Sequence, residues 1–263
     1  CEKCLGGLKE LNAVLKNCEK NRFKSIGYGL RNFFGRTLWK LQSNMDAYIV
    51  QSNFQKNKFI ENGIPNSKLF IIPGLTPALK ITTNKELGDY VSFVGRASLE
   101  KGIVEFLEVA KELPSIKFAV VGAVDPRLEY LKMEASPNVH WTGFLSGSEF
   151  DLFYQKSKII VVPSKWYEGF PNVITRAMQH GKPVITSNIG AMQSIVDHDI
   201  NGLLVAPGNV KQLRLAIESL INNNDKCLRL GLNGKIKAQK NYNDSIIYES
   251  LITIYKFAIS SEN

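Results

Sequence analysis

Short, almost unbroken apolar runs alternate along this chain with longer stretches in which apolar residues return every three or four positions. The runs at Tyr90–Val94, Lys117–Val121, Val139–Thr142, Lys158–Val162, Pro183–Thr186 and Leu203–Val205 predict strands. They lack the strict polar alternation of a half-exposed strand, so both faces of the sheet are expected to be covered, as in parallel sheets. Between them, Ile103, Phe106, Leu107, Ala110 and Leu113 recur at helical spacing. Further helices are predicted over Glu149–Tyr154, Ala191–Val196, Val210–Asn222, Asp225–Lys240 and Asp244–Ile259. Strands alternating with helices predict an α/β fold with a doubly wound parallel sheet.

Candidate chemistry sits after two of these strands. The run Ile159–Val162 stops at Pro163 and Ser164, and a loop carrying Glu168 and Gly169 follows. Pro171 suits a first helical residue, because its φ is already helical and its missing N–H is not needed there. Val173, Ile174, Ala177 and Met178 make the apolar face of that helix, while Asn172 and Arg176, four apart, are expected to look outward together. Free N–H groups at a helix start, beside a glycine that allows close approach, can hold sugar or phosphate oxygens. The second loop follows Tyr90–Val94 and carries Gly95, Arg96 and Lys101. Open α/β sheets place ligands at such strand ends, and an arginine with a lysine there suits a diphosphate. Each loop also has a plainer reading: a surface glutamate in an ordinary turn, and two solvated cations.

Together these segments resemble the retaining GT-B glycosyltransferases of family 4. The resemblance runs from about Tyr90 to Ile259 through FVGRASLEKG, VVGAV around Gly122, VHWTGFLSGSE around Gly143 and Phe144, VVPSKWYEGFPNVITRAM, GKPVITSNIGA and NGLLVAPGN. It implies a Rossmann-like donor domain in which Arg96 and Lys101 grip the diphosphate of a nucleotide sugar. Glu168 would then meet the transferred sugar with the backbone of Gly169, Phe170, Pro171 and Asn172. Gly95, Gly122, Gly143, Phe144, Val173 and Arg176 complete the implied donor site, with Glu168, Arg96 and Lys101 as its catalytic members. At Arg176 the chain departs from the family, which usually has a glutamate accepting the ribose hydroxyls; arginine has five donors and no acceptor.

By the same resemblance, residues 1–83 are expected to be a remnant of the acceptor-side domain: a helix near Ile26–Leu41, strand Asp46–Val50, helix Asn53–Asn62 and strand Leu69–Ile72. Residues 84–242 would form the donor domain, and 243–263 a helix crossing back to the first. The activity implied is retaining hexosyl transfer from a nucleoside diphosphate sugar to a hydroxyl of a glycan or lipid-linked acceptor in polysaccharide or lipopolysaccharide assembly. No cofactor and no metal are expected, since cations already supply the charge. Two alternatives stand beside it. One is a fragment that holds donor without turning it over, for want of the acceptor half; the other is a GT-B nucleotide-sugar epimerase, whose acid and base groups have no evident counterpart here.

Charge adds one feature. The net charge is +9 over 263 residues, and residues 1 to 60 hold eleven Lys or Arg against four Asp or Glu. With Phe23, Tyr28, Phe33, Phe34 and Trp39 interleaved, Asn21–Gln42 suits the surface of an anionic membrane, and equally a helix packed on its own domain with a solvated basic face. Nucleic acid is not an expected partner, because no binding motif accompanies the cations. The implied location is cytoplasmic or peripheral on the inner face of the plasma membrane. Cys1, Cys4 and Cys18 form a C-x2-C-x13-C cluster with no histidine nearby; zinc would need a fourth ligand from elsewhere and stands as the alternative, while reduced structural thiols are the expected reading, with Cys227 a helix residue without chemistry. His140, His180 and His198 stand beside no nucleophile in the sequence.

Overall fold

The computed structural model describes residues 11–38, 44–77, 79 and 87–260. They form two compact bodies, one from residues up to Val50, Gln55–Ile71 and Ile252 onward, the other from Gln51–Phe54 and Ile72–Leu251. The chain therefore changes body at Ile71, ahead of the division expected near residue 83. The reason is that Thr76 and Pro77 bond to a helix of the larger body.

The smaller body contains α1 (Leu11–Leu15), α2 (Arg22–Thr37), β1 (Tyr48–Val50), most of α3 (Asn53–Glu61) and β2 (Leu69–Ile71). Asn21 caps α2 by accepting from Lys24 N. The helix thus starts earlier than the expected Ile26. Its predicted end, together with Cys1, Cys4, Trp39 and Gln42, lies outside the described residues. β1 and β2 pair in parallel over a small core of Val50, Ile64 and Leu69. α2 buries small residues, Ser25, Gly29 and Gly35, and exposes Phe23, Ile26, Leu30 and Phe34 with Arg22, Lys24 and Arg31 beside them.

The larger body is a six-stranded parallel sheet. Its strands and helices alternate as β3 (Tyr90–Val94), α4 (Ile103–Glu112), β4 (Lys117–Val121), α5 (Leu131–Glu134), β5 (Val139–Gly143), α6 (Gly147–Lys156), β6 (Ser157–Val162) and α7 (Asn172–Gln179). Then come β7 (Val184–Ser187), α8 (Met192–Ile195), β8 (Gly202–Val205), α9 (Val210–Ile221), α10 (Asn224–Asn241) and α11 (Asp244–Ser260). Residues of α11 from Ile252 on group with the smaller body. Strand order is β5-β4-β3-β6-β7-β8, all parallel. Winding runs outward in one direction from β3 and in the other from β6.

Each strand sends alternate side chains to two separate cores. On one face Val91, Phe93, Phe118, Val120, Ile159 and Val161 pack against Phe106 of α4 and Leu213 and Ile217 of α9. The Phe106 ring meets Phe93 at 5.5 Å and Phe118 at 5.4 Å. On the other face Val94, Val121, Ile160 and Val162 meet Phe153, Ile174, Met178 and Ala238. Burial of each large side chain is worth about 1.5–3 kcal/mol, which is why both faces read as apolar in the sequence. Among the described residues no helix is long and apolar enough to cross a membrane.

At the carboxyl ends of the strands the loops touch. Gly95 N donates to Val121 O and Gly122 N to Gly143 O, tying the ends of β3, β4 and β5 together. Gly102 has φ +79°, and a Cβ there would overlap the carbonyl of Pro163, so the loops after β3 and β6 approach at this point. Gly102→Ala is therefore expected to cost about 2 kcal/mol and to lower Tm by roughly 4–8 °C in a calorimetric scan.

Candidate functional site

Strand order reverses between β3 and β6, so their two following helices lie on opposite faces and a crevice opens above the strand ends. Phe93, Val94, Gly95, Lys101, Val162, Glu168, Pro171, Asn172 and Val173 line a small cavity of about 150 Å³ there. The two halves read from the sequence thus meet.

Glu168 is held by three donors on one carboxylate oxygen. Oε1 accepts from Lys101 Nζ at 2.5 Å, Ser164 Oγ at 2.7 Å and Trp166 Nε1 at 3.2 Å. Lys101 also lies 5.8 Å from the centroid of the Trp166 ring. The Lys101–Glu168 pair is largely shielded, the two side chains being 25% and 12% exposed, so removing one partner would leave a poorly solvated charge. Arg96 is different. It is not among the residues lining the cavity, is 56% exposed, and pairs with Glu100 at 2.7 Å. Exposed ion pairs are worth about 0.2–1 kcal/mol, so Arg96 can exchange Glu100 for another anion at little cost. Lys165 is similarly paired with Glu105 at 2.6 Å, and its N–H donates to Glu100 O at 2.8 Å, fastening the loop after β6 to the loop after β3.

The remaining expected residues divide. Pro171 stands one place ahead of the first helical position: its ψ of 92° is extended and α7 starts at Asn172. Gly169 and Phe170 are half-buried, and the Phe170 ring packs edge-on against Tyr242 at 5.4 Å. Gly122 and Gly143 sit at the ends of β4 and β5, with Phe144 76% exposed beside them. Arg176 does not look outward with Asn172. Its Nε and Nη2 donate to Asp151 Oδ1 on α6 at 2.9 and 2.5 Å, and Nη1 donates to Pro77 O at 2.6 Å and Gln179 Oε1 at 3.2 Å. The buried Asp151 draws the guanidinium inward, because a carboxylate at that depth needs donors. Asp151, Ser164 and Trp166 were not singled out by the sequence pattern. Trp166 had one local signal, its place two residues before Glu168.

The same Asp151 oxygen is 3.1 Å from His180 Nε2, and the imidazole stacks on Tyr154 with ring centroids 5.2 Å apart. Burial holds His180 below the ordinary imidazole value, the opposing pull of Asp151 notwithstanding. Cys18 is an exposed free thiol, Cys227 is a buried one, and no group of three metal-ligating side chains occurs among the described residues.

Comparison with known proteins shows the family and the fold. The family model for glycosyl transferases group 1 matches residues 79–237. An uncharacterized 42.6 kDa protein in the cps region of Klebsiella pneumoniae is 35% identical over 193 residues, 69% of this chain and 48% of that protein. An uncharacterized glycosyltransferase of Methanocaldococcus jannaschii is 33% identical, covering 78% of this chain and 58% of the other. The capsular polysaccharide biosynthesis glycosyltransferase CapM of Staphylococcus aureus is 30% identical, covering 63% and 45%. The chain thus spans about half the length of these relatives. Among solved structures, Anabaena HepE in complex with UDP superimposes with a TM-score of 0.73 over 90% of this chain and 69% of that one, at 18% identity. At that identity the likeness is one of fold.

The His180 environment predicts a pH dependence. Its folded-state pKa is depressed, so below the ordinary value of about 6.5 the unfolded chain takes up a proton that the folded chain refuses. Stability is then complete above that value and falls, by at most about 1.4 kcal/mol per pH unit, as pH drops. Tm is expected to decline between pH 7 and 5, and His180→Gln to flatten that decline in a calorimetric series.

Proposed function

We propose that this chain, which belongs to the glycosyl transferases group 1 family, is the donor-binding half of an enzyme that moves a sugar from a nucleoside diphosphate to an acceptor hydroxyl with retention of configuration. The observation that carries this reading is the convergence of Lys101 and Glu168 above the β3–β6 reversal, with the start of α7 alongside. Charge logic supports it. Arg96, Lys101 and Lys165 are each balanced by a carboxylate of the same loops or of α4. An incoming diphosphate would take over Arg96 and share Lys101, stabilising the negative charge that grows on the leaving group as the glycosidic bond breaks. Glu168, released in part from Lys101 and still held by Ser164 and Trp166, would accept hydrogen bonds from sugar hydroxyls. The N–H groups at the start of α7 would face the diphosphate or the sugar.

Relatives named for capsular polysaccharide biosynthesis or the cps region suggest a glycan or lipid-linked acceptor, and they favour glycosyl transfer over epimerisation. A lipid-linked acceptor would fit α2, whose exposed Phe23, Ile26, Leu30 and Phe34 are flanked by cations with no acidic residue in the helix. Such a face can lie in an anionic lipid interface.

Calorimetric titration with UDP, GDP and ADP tests the donor reading. One base is expected to bind, with Arg96→Ala weakening it about 10–100-fold, the worth of a charged hydrogen bond; absence of binding by all three would sink the proposal. For the membrane contact, co-sedimentation with phosphatidylglycerol vesicles at low salt is expected to be lost in Leu30→Glu, and equal binding to phosphatidylcholine vesicles would contradict it.

A further inference from the structure

Arg176 is the residue that the donor site leaves unexplained, and its bonds describe a clamp. Three side chains of α7 take hold of the two residues Thr76 and Pro77. Arg176 Nη1 donates to Pro77 O at 2.6 Å, Gln179 Nε2 donates to Thr76 O at 2.9 Å, and the Thr175 and Thr76 hydroxyls meet at 2.5 Å. Thr76 and Thr175 are buried, so their hydroxyl pair is shielded from water, where an unmade partner costs about 1–3 kcal/mol; the Gln179 bond is partly buried and the Arg176–Pro77 bond lies at the surface. Asp151, itself buried, fixes the guanidinium from the other side through two bonds to a single oxygen.

Two residues before the clamp, the backbone is pressed against the proposed sugar-facing turn. A Cβ at Gly74 would run into the Phe170 ring and Asn172 Oδ1. Phe170 and Asn172 therefore have on this side a wall of backbone, whose position is set where Arg176 grips it. We propose that Arg176 is a positioning residue. Anchored by Asp151, it holds the segment Gly74–Pro77 across α7, and through Gly74 it keeps the Gly169–Asn172 turn in its cleft-facing conformation. A glutamate at this position could not do so. It would bring a second carboxylate against Asp151 and offer the Pro77 carbonyl no donor.

The description of the turn as sugar-facing rests on the donor reading above, but the clamp itself does not, and its test needs no ligand. Thermolysin digestion of the full chain under native conditions, with cuts mapped by mass spectrometry, reports local opening at Gly74–Leu75 and at Gly169–Phe170. Arg176→Lys keeps a cation for Asp151 but cannot also reach Pro77 in the same fork, so it should fold. It is expected to raise cleavage at both sites at least tenfold, with Tm changed by only a few degrees. Replacing Thr76 and Thr175 by cysteine in that background supplies a covalent substitute, and oxidation should return both sites towards the wild-type rate while reduction should not. Faster cleavage at Gly74–Leu75 with Gly169–Phe170 at the wild-type rate would overturn the positioning role. So would a uniform rise at all sites, which would mean that Arg176 contributes only to global stability.

Discussion

A parallel sheet whose strand order reverses has one place where consecutive crossovers leave in opposite directions, and the proposed donor site depends on that place. Because β3 and β6 are neighbours with α4 and α7 on opposite faces, neither of these helices covers the strand ends between them. The loops that meet there come from residues far apart in the chain, yet Lys165 N to Glu100 O and the contact of Gly102 with Pro163 fasten them as one unit. The apolar cores on both faces hold the strands, the strands hold the loops, and the loops bring Lys101 to Glu168.

In the crevice, local neutrality is the governing feature. Each cation of these loops already has a carboxylate partner, but the pairs differ in how easily they yield. The Arg96–Glu100 pair is open to water and weakly coupled, whereas Lys101–Glu168 is shielded and reinforced by Ser164 and Trp166. An anionic ligand would therefore meet a graded response, with Arg96 free to turn towards it and Glu168 staying close to its place. In the proposed transfer, such preorganisation would avoid reorienting the charged groups as the bond breaks.

Around Asp151 the same physics serves structure. A carboxylate buried beneath α6 needs donors on several sides, and it takes them from Arg176 and His180. The consequence reaches beyond the pair, since the guanidinium so fixed has one nitrogen left to bind the segment Gly74–Pro77. An arginine that appeared in the sequence as a defect in a ligand-binding pattern thus acquires a role through a partner twenty-five positions away.

What the sequence by itself determined was whatever depends on near neighbours. Runs such as Lys117–Val121 and Lys158–Val162 could only be buried strands, because apolar residues on both faces need cover on both sides. The proline at 171 and the apolar spacing that begins at Ile103 marked where loop gives way to helix, to within a residue or so. Loop position alone put Lys101 and Glu168 at strand ends. Tertiary structure decided the rest. Which oxygen of Glu168 is bound and by which donors, whether Arg96 lines the cleft or stands outside it, and where Arg176 points all follow from side chains brought together by the winding of the sheet. Burial also decided the direction of α2, whose small residues pack inward and large ones outward, the reverse of what apolar spacing suggests. Periodicity reports which residues share a face, but the element on which that face rests is fixed only when the whole chain has folded.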